Sequence, residues 1–482
     1  MGSHRLLPPV VASVAAIGLA TGLALSGCSL TTTDVTTCSD HGECRDRFGL
    51  RSGCSADGLC ELRAAHPRCD RTYPEGLIDA TSAKDVIIIG SLVDRSVETH
   101  QARERAARLA LKQANEDGGV AGKRFGLVLC TVEENSKLDA LKRTDAAVAA
   151  ARYLTEQLGA VALIGPSASS DVEAAFKAVQ KTGALMISPA ATSPTLTTLD
   201  PKQVDDDHPG LLWRTAPPDS VQGRAIAFDM RRKRIVDSVA VVLEAGPYGE
   251  GLAFVFSSVF SADGGKKVTK LVFDTAGKRD EHVAAAPVDH DEVLFISAQT
   301  SDIIAFLEAS ASLGTYDGKG IFLTDSANED VLRQGNDARF AQVRGSRPQP
   351  LDDKVNLVYA AFIAAYATEY GDDVRRFSFA AQSYDAAWLV AYGAAWAQLQ
   401  AGAINGVNIA KGLRRVSAGD ALEIRPSNWK VLQDAFAKGS SVNVEGASGA
   451  LDYEPSDEET TGAFELWSID KRAPKALYSW PE

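Results

Sequence analysis

From Val86 onward, short apolar runs alternate with segments of helical period, and this alternation limits the possible folds more than any other feature. Val86–Gly90 leads into a helix expected over Gln101–Asn115, which stops at Gly118-Gly119. Phe125–Cys130 reads as the next strand, Asp139–Leu158 as the next helix and Ala160–Ile164 as a third strand. A second series begins after Trp213-Arg-Thr-Ala-Pro-Pro218. Its expected helices are Ser220–Arg232, Tyr248–Phe260 and Ser301–Ser310, and its strands are Val239–Leu243, Val268–Phe273, Val293–Ile296 and Ile321–Leu323. Strands that alternate with helices build parallel, doubly wound sheets, here two of them. The tail reads differently: Val355–Tyr370, Tyr384–Leu399 and Asn428–Phe436 are expected helices with little strand between. No repeat of solenoid period is visible.

Two strand ends mark a candidate site. Val161-Ala-Leu-Ile-Gly165 runs into Ser169-Ser170-Asp171, and Leu185-Met-Ile-Ser-Pro-Ala190 runs into Thr192. Each apolar run stops at small hydroxyl residues, and the first continues into a helix at Val172. Ser169, Ser170 and Asp171 therefore fall where an N-cap belongs. A helix start offers unpaired N–H groups and partial positive charge, which suit a carboxylate or phosphate. In open α/β sheets, ligands bind beyond the carboxyl ends of the strands. A serine at a helix start can be a cap and nothing more, and Thr192 can be a turn residue before Pro194. Their occurrence in consecutive β-α units favours one wall of a small-molecule cleft.

The first residues read as an export signal. Arg5 is positive, Val10–Leu25 is apolar and small, and Leu25-Ser26-Gly27-Cys28 closes the segment. The run is too short and too rich in small residues for a membrane span. Its Leu-Ser-Gly-Cys ending resembles the bacterial lipobox, which would make Cys28 the lipidated first residue of a mature chain. Six of the seven cysteines then remain: Cys38, Cys44, Cys54, Cys60, Cys69 and Cys130. Four crowd a Gly- and Asp-rich stretch too small for its own core, which reads as a disulfide knot. A zinc site would need Cys-x-x-Cys spacing, which is missing. His41 and His66 read as solvated loop residues. Connectivity stays open, although Cys69 and Cys130 could tie the linker to the main domain once the knot is paired within itself.

The length leaves room for more than one core beyond signal and knot. A net charge of −13 without any basic run argues against a nucleic-acid partner. No Gly-x-Ser-x-Gly elbow, His-Glu-x-x-His or phosphate loop occurs, so no catalytic residue, cofactor or metal is expected. Asp289-His290-Asp291-Glu292 precedes an apolar strand and reads as a solvated turn.

Seven stretches, in order, carry a family resemblance that covers nearly everything from Val86 to the end. They are Ala110–Gly119, Ile164-Gly165 with Ser169-Ser170, Met186–Thr192, Arg214-Thr-Ala with Asp219 and Gln222-Gly223, Tyr248–Leu252, Phe322–Asp325, and Tyr384-Asp-Ala-Ala. With them the chain resembles the type I periplasmic binding proteins of the leucine/isoleucine/valine class, ligand-capturing components of ABC transporters. The Cys-rich leader is similar to that of myxobacterial lipoproteins of this class. The resemblance implies two doubly wound α/β lobes joined by three crossovers, near Thr215–Asp219, Arg344–Leu351 and Val444–Tyr453. The implied division is a signal peptide at 1–27, a Cys-rich leader and linker at 28–85, one lobe from 86–217 with 349–447, and another from 218–348 with 448–482. It also implies a ligand carboxylate held by Ser169 and Thr192 with backbone help from Ala190. Tyr248 would close from the other lobe, and Asp325 would meet the ligand's amino group. Otherwise Tyr248 is a packed loop aromatic and Asp325 a cap for the segment at Asn328.

Three departures qualify this. The loop after the first strand, Ser91–His100, lacks the family's Gly, Pro and covering aromatic. Ser297-Ala-Gln299-Thr300 stands where relatives place aromatic residues, and Ala168 occupies the position that would pair Cys130 locally. The pocket therefore reads as more polar than a branched-chain amino-acid site, with Asp94, Arg95 and Gln299 available to a polar or charged ligand. The expected protein is a lipid-anchored, solute-binding component of the cell envelope, on the periplasmic or outer-membrane face. It would present an amino-acid-like ligand to an ABC permease or receptor. The other reading is a lipoprotein that uses the same bilobed fold to dock onto a cell-envelope protein.

Overall fold

The computed structural model describes residues 36–134, 137–200, 205–327, 329–349 and 353–481. Cys28, Asn328 and the expected signal peptide lie outside them. The leader holds helix α1 (His41–Phe48) and a hairpin of β1 (Ser52–Cys54) and β2 (Cys60–Leu62). Two disulfides, Cys38–Cys54 and Cys44–Cys60, staple it. His41 is not a solvated loop residue: it lies in α1, and its Nδ1 accepts from the Cys54 amide at 2.9 Å. His66 is also half-buried, its ring 5.0 Å from that of Tyr153.

The first large sheet contains β3 (Arg71–Tyr73), β4 (Val86–Val93), β5 (Arg124–Thr131), β6 (Ala162–Ile164), β7 (Leu185–Ser188) and β8 (Leu212–Arg214), in the order β3-β5-β4-β6-β7-β8. All neighbours are parallel except β3, a linker strand that pairs antiparallel with β5. The second sheet contains β9 (Ser238–Glu244), β10 (Lys267–Phe273), β11 (Glu292–Ile296), β12 (Gly320–Leu323) and β13 (Val343–Pro348), in the order β10-β9-β11-β12-β13. Among their parallel strands, both sheets thus place the first between the second and third. That is the doubly wound order with a switch point beside the first strand.

The tail is richer in strands than its sequence suggests. A small sheet joins β14 (Asp420–Glu423), β15 (Val442–Gly446) and β16 (Gly449–Ala450), while β17 (Phe464–Asp470) and β18 (Ala473–Trp480) extend the second sheet antiparallel from β13. The chain passes between the sheets after β8, after β13 and between β16 and β17. The third passage lies further along than Val444–Tyr453, because β15 and β16 still pair in the small sheet. It is fastened to the first passage: Arg214 forks onto Glu459 at 3.0 and 2.6 Å, and the Tyr453 hydroxyl donates to the Arg214 carbonyl.

Thirteen helices accompany the strands among the described residues. After α1 they are α2 (Glu98–Glu116), α3 (Arg143–Arg152), α4 (Ser169–Val179), α5 (Asp219–Phe228), α6 (Pro247–Ala262), α7 (Ala276–Ala285) and α8 (Thr300–Ser312). Then follow α9 (Glu329–Gln334), α10 (Leu357–Tyr370), α11 (Ala380–Trp396), α12 (Gly406–Leu413) and α13 (Trp429–Ala437). α11 is buried on nearly every face, which suits only a helix inside a core. It packs on α2, and Trp388 and Tyr392 stack around Trp429. Several resemblance residues do structural work here. Asn115 exchanges two hydrogen bonds with the backbone of Phe125, clasping α2 to β5. Asp385, fully buried, accepts from the amides of Ala447 and Ser448.

A third disulfide, Cys69–Cys130, joins the linker to β5 across a separation of 61 residues. Cross-linking so long a loop restricts the unfolded chain, a contribution of about 2–4 kcal/mol. Replacing both cysteines with serine is expected to lower unfolding free energy by about that amount. Urea titration measures it, and a change below about 0.5 kcal/mol would show that the linker strand holds without the bond.

Candidate ligand-binding site

Every expected pocket residue follows the carboxyl end of a strand. Ser169 comes after β6, Ala190 and Thr192 after β7, Tyr248 after β9 and Asp325 after β12. The structure brings all five to the wall of one cavity between the two sheets, of about 80 Å³. Gly165 sets the course of the first loop: its φ is +93°, and a Cβ there would meet the Leu92 carbonyl oxygen at 2.4 Å. Only glycine accepts both conditions. The cleft is closed, because the Ser193 hydroxyl donates to the Pro247 carbonyl at 2.6 Å and Arg143 donates to Gln299 at 2.6 Å, each across the two sides.

The N-cap of α4 is Ala168, which has no side chain able to cap. Ser169, Ser170 and Asp171 are instead the first helical residues, one step later than the sequence suggests. This leaves first-turn amides, which have no partner within their own helix, beside the Ser169 hydroxyl. That hydroxyl accepts from the Ser193 amide at 3.3 Å and keeps its own proton to donate. Asp171 points away, held by Thr144 and Arg143.

On the opposite wall Tyr248 and Asp325 are both buried, and the tyrosine hydroxyl lies 2.7 Å from the Asp325 carboxylate and 2.8 Å from the Thr324 hydroxyl. Asp325 is thus an oriented acid in the cleft. Behind it, at the hinge, Asp219 is completely buried, and its amide donates to the Thr192 carbonyl at 2.8 Å. Its carboxyl oxygens make no well-formed hydrogen bond, although the Thr192 hydroxyl lies near enough to favour the ionised form. Burial, then the neighbouring Asp325, pushes the Asp219 carboxyl well above the usual carboxylate range. Burial also raises Asp325, opposed by hydrogen bonds from Tyr248 and Gln222. Both carboxyls of this pair are thus raised, Asp219 further than Asp325.

Among the lining residues that were not expected in the cleft, three bear on its chemistry. α2 turns His100 and Arg103 into it, three residues apart and so on one face. Phe379, the N-cap of α11 with φ +61°, adds the only aromatic ring besides Tyr248 on this wall among the described residues. Burial, with help from Arg103 and Arg143, holds His100 well below the usual imidazole range, so its ring is neutral. Burial brings Arg103 down to about 9, Asp325 opposing. Spacing puts His100 and Arg103 on one face of α2, but neither that spacing nor anything near Phe379 in sequence shows that these residues meet the cleft. Of the polar residues noted in the departing loops, Asp94 and Gln299 line the cleft. Arg95 does not: it donates to the Leu129 carbonyl at 2.6 Å and pairs with Asp70 at 2.9 Å, bracing the linker. Among the described residues, one cysteine group has ligand-like proximity, Cys38, Cys44 and Cys54, and its thiols are spent in disulfides.

Two doubly wound sheets with a closed cleft at their switch points define a bilobed ligand-binding protein. The chain belongs to the family described as receptor family ligand binding region, whose profile matches residues 102–472, and within it to the type I periplasmic binding proteins of the leucine/isoleucine/valine class. This is a family of ligand-binding regions, not of enzymes. The chain is 30% identical over 220 residues to the Leu/Ile/Val/Thr-binding protein of Salmonella typhimurium, a match covering 44% of this chain and 53% of that protein. It therefore spans about half the length of that relative. A longer match, 24% identical over 372 residues and covering 74% of this chain and 80% of the relative, is to the chemotactic signal transduction system substrate-binding protein BasB of Halobacterium salinarum. Among solved structures, the isoleucine complex of the branched-chain amino acid transporter substrate-binding protein LivJ from Streptococcus pneumoniae shares the fold. Its TM-score is 0.62 at 21% identity, covering 82% of this chain and 98% of that one.

Proposed function

We propose that this protein captures a small amino-acid-like molecule between its lobes and presents it to an ABC permease or a receptor. The observation that carries this is the convergence of Ser169, Ala190, Thr192, Tyr248 and Asp325, drawn from four strand ends, on one closed cavity. In this reading Ser169 and the amides that open α4 hold the ligand's carboxylate, with Thr192 and the Ala190 backbone beside it. Asp325, oriented by Tyr248, receives the ammonium group. The lobes divide at 217/218, at 348/349 and beyond residue 450, and closure is a rotation of one about the other. The relatives' names, which speak of leucine, isoleucine, valine or threonine binding, support the amino-acid class.

Calorimetric titration of the exported portion with the twenty amino acids tests this. A hydrogen bond to a charged group contributes about 1.5–3 kcal/mol. Ser169→Ala and Thr192→Ala are each expected to weaken the best ligand by roughly 10- to 150-fold. Affinities that stay within about twofold would refute the assigned pocket and leave a docking role on the cell envelope as the better account.

We also place the protein on a lipid anchor at Cys28, outside the cytoplasm, where its disulfides persist. Acyl chains hold a protein firmly once two or more are present. Cys28→Ala is expected to move the protein from the detergent phase to the aqueous phase on partitioning. An unaltered distribution would argue against the anchor.

A further inference from the structure

Arg103 is a cation that a neutral amino acid would leave unanswered. It is 8% exposed and reaches the cleft from the second turn of α2. Its Nε donates to the Ser378 carbonyl at 2.9 Å, and its guanidinium lies 5.1 Å from the centre of the Phe379 ring. These two contacts fix the plane of the group. They leave both terminal nitrogens without an acceptor among the described residues, on a side chain that lines the cavity.

The groups around it do not neutralise it. Arg143 is already matched by Asp171 at 2.8 Å and Gln299 at 2.6 Å. His100 is uncharged. Asp94 accepts from the Ser96 amide at 2.9 Å. Asp325 attracts Arg103 from the opposite lobe, yet no ion pair forms within 4.0 Å, and the cleft is what both residues border. A buried guanidinium with two parallel N–H groups free is a fork for a carboxylate. Leaving such a charge unpaired is costly.

We propose that the cleft selects a ligand with a second acidic group, a dicarboxylic amino acid, whose side-chain carboxylate is gripped by Arg103. The proposal rests on the amino-acid reading above and adds the ligand's charge. The α-carboxylate then sits at Ser169, the ammonium at Asp325 and the distal carboxylate across from both.

Acid and amide pairs of equal shape test it: L-glutamate against L-glutamine and L-aspartate against L-asparagine, by calorimetry on the wild type and on Arg103→Gln. Two hydrogen bonds to a charged group should favour the better acid over its amide by at least about 10-fold. Arg103→Gln should bring that ratio close to one, and Arg103→Lys, which keeps the charge but not the fork, should fall between. Amides that bind as well as acids to the wild type would overturn the proposal, even if no variant folds. So would an acid preference that survives in Arg103→Gln, since Arg103 would then only hold Ser378 and Phe379 in place. Tight binding of leucine with none of either acid would sink this inference alone. Absence of binding by any amino acid would sink the functional reading as well.

Discussion

Asp325→Ala is expected to weaken a ligand carrying an ammonium group by about 2–5 kcal/mol, the cost of truncating one partner of a buried charge pair. That corresponds to roughly 30-fold to several thousandfold in affinity. The residue is 4% exposed and its carboxylate is oriented by Tyr248. A ligand lacking the ammonium, such as the matching 2-oxo acid, should lose much less. Equal losses for both would mean that Asp325 organises the cleft without touching the amine. The acid also sets a pH dependence. Burial raises the Asp325 carboxyl in the ligand-free protein, whereas an ammonium binds the ionised form. Proton and ligand therefore compete, and affinity should fall as pH drops through the window just above the ordinary carboxylate range. Titrations in buffers of different ionisation enthalpy should detect proton release there.

Arg344→Met is expected to destabilise the protein by about 3–5 kcal/mol, because it strips the cation from two buried acids. Arg344, Asp229 and Glu292 are 6%, 1% and 3% exposed. One arm of the guanidinium meets the Asp229 carboxylate and the other lies 2.5 Å from Glu292, while Tyr478 donates to Asp229 at 2.6 Å. Burial pushes the Glu292 carboxyl up to about 8. A group raised in the folded state contributes stability below its unfolded value and loses it as pH climbs through the folded value. Below about pH 7 both proteins keep Glu292 protonated, so the methionine variant should show its smaller deficit at about pH 6 and a larger one at about pH 9, where Arg344 lets the wild type carry the ionised acid. Urea unfolding at the two pH values measures this, and an equal deficit at both would contradict the assignment to Glu292.

The same three residues show where sequence reading stops. Asp289–Glu292 reads as a solvated turn because four polar residues precede an apolar strand. In the structure His290 is buried and bonded to Thr269 at 2.8 Å, and Glu292 opens β11 facing Arg344. Arg344 is 52 residues away, and no local pattern connects the two. Most strands of the two doubly wound sheets were legible because they are short, mainly apolar runs between helical segments, whereas β3, β8 and β13, each carrying an arginine, were not. The hairpin of β17 and β18 was not, since its outer strand is half-exposed and carries Pro474 and Lys475. α7 was missed because its only buried residue is Val283, too little for a periodic signal. Within the site, strand-end residues could be located because the fold class dictates where ligands sit. Arg103 and Phe379 could not, because a helix face and a loop more than 270 residues apart meet only after folding.

The position of β3 has a mechanical consequence. The first sheet runs from β3 at one edge to β8 at the other, and the chain leaves for the second lobe from β8. A pull on the N-terminus enters at the far edge, through Cys69–Cys130 and the fully buried Arg68, which grips Asp139 and the Glu133 carbonyl. Load applied there is carried by the strands of the first lobe and never crosses the bending region. Under the hinged reading proposed above, whatever holds the leader makes the first lobe the stator and leaves the second free to swing over the cleft without working against its mooring.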